Sequence, residues 1–489
     1  MFEFSSRLKT ISYVLILIGA LSVGFSFLAG GGHHEDEHGE HATMHDEHAD
    51  HSDHAEHADH ASHDNHGEEA HHETAVHPAL VHDDMPETDD FTYHKGASRA
   101  IPENNHFYAS PEHHDAEHIH HQIENKPWSN LLVNSFWALA LGLGALFFMA
   151  VQYAAQVGWS AVILRVLEAM ASFIWVPGLV ILIIILTGWF HIGGNHVYHW
   201  MAEGIMNPDS PNYDALIAGK EGYLNGAFFT LRALIYLGGW IGAAYMLRKM
   251  SLRFEQAGVD YAKNWAKMRN LGAGFLVFFA VTSSTSAWDW IMSIDTHWFS
   301  TLFGWYVFAT MFVSALTALM MIVLYLKGKG YLAEVNQSHI HDIAKFMFAF
   351  SIFWTYLWFS QFMLIWYSNI PEEVTYYMAR FGEYKGLFFT MLVLNFLFPI
   401  LVLMSRDAKR NKGFIFTAGV VILFGHWMDI FIMIMPGSVG SNWTLGLVQI
   451  GTMLGFVGLF INVVFRALSK APLMAKNHPM YVESTHFHQ

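Results

Sequence analysis

Ten apolar runs, each close to or beyond the ~20 residues a helix needs to cross a bilayer, decide what this chain can become. They lie near residues 8–28, 131–152, 168–190, 223–248, 271–288, 299–326, 342–368, 385–404, 413–435 and 444–468. Inside lipid every backbone N–H and C=O must be bonded within the chain, and a run of this length does so as a helix. The expected fold class is all-α integral membrane with ten transmembrane helices. Charged residues make up 14% of the chain, against roughly 25% in soluble domains. There is no cysteine, which excludes disulfides, thiolate-held iron–sulfur clusters and c-type haem attachment within the chain.

The net charge of −16 is unevenly spread. Residues 33–124 hold 24 Asp and Glu against Lys95 and Arg99, so this segment carries −22 and the remainder +6. The same segment contains 23 of the 33 histidines, recurring mostly every third residue from His48 to His66. Low hydrophobicity and dense charge predict disorder. Imidazole at this density suits weak binding of zinc, copper or nickel; the plainer reading is a solvated insert, since no closed four-ligand pattern stands out. Residues 86–128, with Phe91, Tyr93, Phe107, Tyr108 and Trp128, are expected to pack on a partner or lie on the membrane. The chain thus divides into 1–30, a first transmembrane helix; 31–125, a His/Asp/Glu-rich, largely disordered periplasmic segment; 126–470, a nine-helix membrane domain; and 471–489, a cytoplasmic tail. The first apolar run is long for a signal sequence, and we expect it to be retained.

Basic residues alternate between loops. Arg248, Lys249, Arg253, Lys263, Lys267 and Arg269 follow the fourth span, Lys327 and Lys329 the sixth, Arg406, Lys409, Arg410 and Lys412 the eighth, and Arg466, Lys470 and Lys476 the tenth. The loops between these hold only Lys220 and Arg380. The positive-inside rule then predicts both termini cytoplasmic, with the His-rich segment and the turn at 289–298 on the periplasmic face. Trp288, Trp290, Trp298 and Trp305 fit an interfacial belt there.

That turn is the most unusual stretch. Hydroxyls at Thr282, Ser283, Ser284, Thr285 and Ser286 lead into Trp288, Asp289, Trp290, Asp295, His297 and Trp298. The run SAWDWIMSIDTHWFSTLFGWYVFA resembles the quinone-binding subunit 2, or F subunit, of alternative complex III, a quinol:cytochrome c oxidoreductase. The likeness extends in length and helix count over nearly all of 126–470, with the His-rich insert outside it. The resemblance implies two tandem four-helix bundles plus flanking helices, related to the polysulfide-reductase-type membrane subunits. It implies partners: a paralogous quinone-binding membrane subunit, multihaem and monohaem cytochromes c, an iron–sulfur subunit and a cytochrome oxidase as acceptor. Haem c and iron–sulfur clusters would sit on those partners, in a bacterial inner membrane. Quinone and lipid are the small molecules implied; nothing suggests nucleic acid.

Quinol oxidation releases electrons and protons. His426 is the one histidine well inside a predicted span and His191 lies at a span end, so facing haem ligands are not expected. Ionisable groups near lipid are the candidates for a proton path. Asp289 shares a helix face with Ser286 and Thr285; Asp295 follows it. Arg232, inside a span, needs a carboxylate, with Asp289, Glu203 or Glu221 able to serve. His426 and Asp429 are i and i+3, suited to a relay. Glu168, three after Arg165, is a candidate for entry from the cytoplasmic side, or an interfacial ion pair. His297 and Trp288 are candidate quinone contacts, the imidazole bonding a carbonyl. His191, His196, His199 and Glu203 would present metal ligands if helical; the plainer reading is a capping loop. Two other classes stay open. One is a stand-alone proton or metal-ion transporter, favoured by the His-rich insert and by Pro177 and Pro399 within spans. The other is a purely structural membrane anchor.

Overall fold

The computed structural model describes residues 2–30 and 111–488, with side chains over 2–29 and 119–488. The His-rich run falls almost wholly outside the described residues, as does most of a second unit at 34–114. No strand occurs among the described residues, and ten helical segments are long and apolar enough to cross a membrane.

The helices are α1 (Ser6–Gly30), α2 (Pro111–Ala154), α3 (Leu164–Ala171), α4 (Trp175–Trp189), α5 (Ala215–Ala218), α6 (Gly226–Arg253), α7 (Tyr261–Trp290), α8 (Phe303–Gly328), α9 (Gln337–Ser368), α10 (Pro371–Gly382), α11 (Lys385–Leu392), α12 (Phe398–Leu403), α13 (Lys412–Val439), α14 (Leu447–Ser469) and α15 (Tyr481–Thr485). Two of the ten spans are interrupted. The third breaks into α3 and α4 at 172–174, and the eighth passes from α11 to α12 through a π-turn, Val393–Leu397. Proline explains both. Its ring clashes with the carbonyl four residues earlier, which is Phe173 for Pro177 and Asn395 for Pro399.

α2, α8 and α13 form the interior: 89% of the most apolar stretch of α2 and of α8 is buried, against 11% in α1. α8 packs on α7, α9 and α13, and α6 on α4 and α7. Peripheral α1, with Phe27 edge-on to Trp128 of α2, is held chiefly by α14 in one long seam of small residues. There a Cβ on Gly455 would fall 2.6 Å from Gly19 Cα, and one on Gly458 2.8 Å from Ser12 O. Close backbone approach of this kind replaces the hydrophobic drive that lipid cannot supply.

The tail, read from sequence as a plain cytoplasmic extension, is folded onto the body. Ser484 Oγ accepts from Val162 N and donates to the Trp159 carbonyl. Asn336 Nδ2 donates to Phe487 O, and Tyr481 Oη to Glu334. His478 is buried among Tyr153, Phe254 and Trp265. Burial pushes its imidazole down to about 4, with Arg165 adding to the effect.

Candidate functional site

Two fully buried carboxylates organise the interior. Asp289 closes the last turn of α7. Arg232, one quarter of the way along α6, meets it fork to fork: Nε to Oδ2 at 2.9 Å and Nη2 to Oδ1 at 3.0 Å. Tyr236, one turn on, donates to Oδ2 at 2.9 Å. The guanidinium also donates to the Tyr223 carbonyl and lies 3.9 Å from the Tyr223 ring centre and 4.4 Å from that of Phe228. Of the three carboxylates that Arg232 might have taken, Asp289 is the one it binds. A bidentate, stacked arginine is geometrically fixed.

Asp429, on α13, has a different shell. Tyr306 and Thr310 of α8 donate to it, the latter at 2.6 Å, and Trp354 of α9 donates its indole N–H at 2.9 Å. All three donors are neutral. His426 is on the same face, its Nδ1 3.8 Å from Asp429 Oδ2 and its ring edge-on to Trp354. Neither nitrogen of this wholly buried imidazole has a hydrogen-bond partner.

Asp295, in the turn after α7, lies against Gly437 of α13, where a Cβ would fall 2.8 Å from its Cγ. It pairs with Arg380 of α10 at 3.3 Å. Arg380 stacks on Tyr376 and donates to the carbonyls of Ile432 and Met433, at 3.1 Å each. Pro436 explains the first of these, because it has no N–H to occupy the Ile432 carbonyl. Asp295, Arg380 and Asp429 therefore sit along one stretch of α13. Asp289 ends α7 and Asp295 lies in the turn that follows, and their side chains bind different arginines, Arg232 and Arg380.

Glu168 is buried on α3, bound by Arg165 at 3.0 Å and by Ser251 of α6. Arg165 reaches Glu255 at 3.2 Å. The expected ion pair is formed, but it is buried and lies beneath the docked tail, where Asn477 donates to Glu255. Glu168 and Arg232 occupy opposite ends of α6, by way of Ser251 and Arg232 respectively.

The remaining candidates are dispersed. His297 is exposed and bonds Asp214 at 2.6 Å. Asp214 caps α5, and although burial opposes it, the Ile217 amide and His297 hold its carboxyl below the usual range. Trp288 is half-buried, with its indole N–H shielded and without an acceptor. The helical turn needed to align His196, His199 and Glu203 is not formed. His191 has a φ of 52°, followed by bends and a three-residue 3₁₀ turn, His199–Met201. Gly193 and Gly194, both at positive φ, turn the chain back here. His196 instead faces His121, ring centres 4.0 Å apart. Burial and the neighbouring His121 push it down. Among the described residues no group of three or more His, Asp or Glu is placed to hold a metal ion.

Tyr236, Tyr306, Thr310 and Trp354 were missed in the sequence. Tyr306 and Thr310, four apart on one helix face, were the available signal for two of them. The tail was missed altogether. No family model matches the chain, and no curated protein matches it.

Proposed function

We propose that this chain is a membrane subunit of a respiratory quinol:cytochrome c, or quinol:oxidase, electron-transfer complex of the alternative complex III type. In this reading it supplies scaffold, quinone environment and a proton path, while redox centres reside on partner subunits. The proposal places it in a bacterial inner membrane with both termini cytoplasmic. It groups the spans from α2 through α7 and from α8 through α13 as two four-helix bundles. The observation that carries the reading is the Asp429 site: a buried carboxylate held by neutral donors, beside a buried histidine with open nitrogens. Protonating a carboxylate that has no fixed counter-cation leaves no opposite charge stranded, so such a group can take up a proton that an arginine-locked carboxylate would refuse. Asp295 and Arg380 continue the polar line along α13 towards the helix end.

The test is substitution in the assembled complex. Asp429→Asn and His426→Gln should lower quinol-driven cytochrome c reduction and proton release at least tenfold, with complex assembly intact. Unchanged turnover and proton release would remove the path and leave a scaffold.

One observation favours a second reading, a stand-alone transporter. The broken spans at 172–174 and 393–397 are the kind of discontinuous helix that transporters place near the midplane. Gentle purification separates the two. Co-migrating c-type haem absorbance supports the respiratory subunit, and a haem-free particle that catalyses ion flux alone supports the transporter.

A further inference from the structure

The π-turn before α12, Val393–Leu397, buries Asn395 inside the bundle. Pro399 displaces the backbone at Asn395, and a π-turn inserted in an α-helix often marks a functional position. Here it directs Asn395 against α13. Its amide oxygen occupies the place where a Cβ on residue 425 would stand, so only Gly425 admits it. Asn395 is wholly buried, and neither its oxygen nor its nitrogen has a hydrogen-bond partner. The next residue on α13 is His426, equally buried, with both ring nitrogens likewise open. Four polar atoms are thus unsatisfied at neighbouring positions, close to the middle of both spans by residue count.

Leaving a buried donor or acceptor unmade costs about 1–3 kcal/mol each. Buried polar groups in folded proteins are almost always bonded, and ordered water is the usual partner where protein is not. The chemistry selects water over other ligands. An amide and an imidazole each offer both a donor and an acceptor, which a water matches and an anion or a cation does not. The charged group that approaches His426 is Asp429, at 3.8 Å, and its oxygens already accept from Tyr306, Thr310 and Trp354.

We propose that Asn395 and His426 form a water-binding node at the centre of the bundle of α8, α9, α11–α12 and α13, linked through His426 to Asp429. The hydration stands on packing alone. Only the further step, that this water exchanges protons with Asp429 through the imidazole, rests on the proposed respiratory role.

A side-chain-resolution map of the full chain in lipid nanodiscs tests the hydration. The expected result is ordered water within hydrogen-bond distance of the Asn395 amide and a His426 nitrogen. Asn395→Leu and His426→Leu should also be non-additive, the double variant losing no more melting temperature than the worse single one. Absence of such density, with the His426 nitrogens bonded to protein groups instead, overturns the node, and so do additive losses. If the water is present but Asn395→Leu leaves proton release unchanged, hydration stands and the proton step fails.

Discussion

Asp289 and Asp429 invite comparison because burial does not separate them. Each lies on a long helix, neither touches solvent, and each accepts from three side-chain donor atoms. What differs is the charge of those donors. Two of the three on Asp289 belong to one guanidinium, fixed by ring stacking and by the Tyr223 carbonyl. All three on Asp429 are neutral, and the nearest basic group, His426, stands off at 3.8 Å. The first site is closed by its own counter-charge, so either partner without the other leaves a bare charge in a low-dielectric interior. The second can change protonation with its hydrogen-bond shell intact. The same residue type is therefore a lock in one place and a switchable group in the other.

The largest expected effect breaks the lock. Asp289→Ala or Arg232→Ala should each destabilise the protein by about 3–5 kcal/mol, since each strands a buried charge. The loss should appear as a lower thermal midpoint in detergent or nanodiscs. The paired apolar change, Arg232→Met with Asp289→Leu, should recover most of it. Asp429→Asn should cost less, about 1–2 kcal/mol. It strands no charge, and the amide oxygen can keep the Thr310 and Trp354 bonds on the Oδ2 side while the amide N–H₂ turns to the Tyr306 hydroxyl oxygen. Equal losses at the two aspartates would collapse the distinction.

A histidine sharpens it next. His478 in the tail resembles His426 in being buried with an open ring nitrogen, but it faces a fixed cation, Arg165. Its imidazole lies at about 4, against 6.5 ordinarily. The unfolded tail therefore binds a proton first as pH falls. The stabilisation is complete above about 6.5 and is lost progressively towards pH 4, amounting to roughly 3 kcal/mol at the acid end. Tail release, followed by protease sensitivity of residues 471–488, should rise over that window. His478→Phe should flatten the profile.

How far these differences could be read in the sequence depends on the physics at each point. The ten spans were legible because hydrocarbon imposes length and apolarity directly. The Arg232–Asp289 pair was partly legible, since an intramembrane arginine demands a carboxylate and few were on offer. The proximity of His426 to Asp429 followed from i, i+3 spacing. Tyr306, Thr310 and Trp354 were hidden because a hydroxyl or indole in a span reads the same whether it serves a carboxylate or its own helix. Ser314 and Thr317 show the ordinary case, each bonding a carbonyl four residues back. Pro399 was visible, but that it would turn Asn395 into the bundle depended on the packing of α13. The tail escaped because its anchors are single polar residues, Ser484, Asn477 and Tyr481, each bonded to a residue more than 140 positions away.

The smallest expected effect comes from the same chemical pairing placed in water. His297 and Asp214 stand 2.6 Å apart, closer than His426 and Asp429, but the imidazole is half exposed. Solvent and salt screen such a pair, which typically contributes 1 kcal/mol or less. Asp214 has a second task that does not need His297, because its carboxylate accepts from the Leu216 and Ile217 amides as the cap of α5. Asp214→Ala should therefore cost about 1 kcal/mol, chiefly through the lost cap, while His297→Gln should cost less than about 0.5 kcal/mol. A double-mutant cycle run at low and high salt isolates the pair. A small coupling that vanishes at high salt would place the whole contrast in the surroundings, because distance alone ranks the two pairs the other way. A coupling that survives high salt and exceeds the one measured between His426 and Asp429 would mean that contact distance governs these pairs, and the distinction drawn between buried and exposed carboxylates would then have to be abandoned.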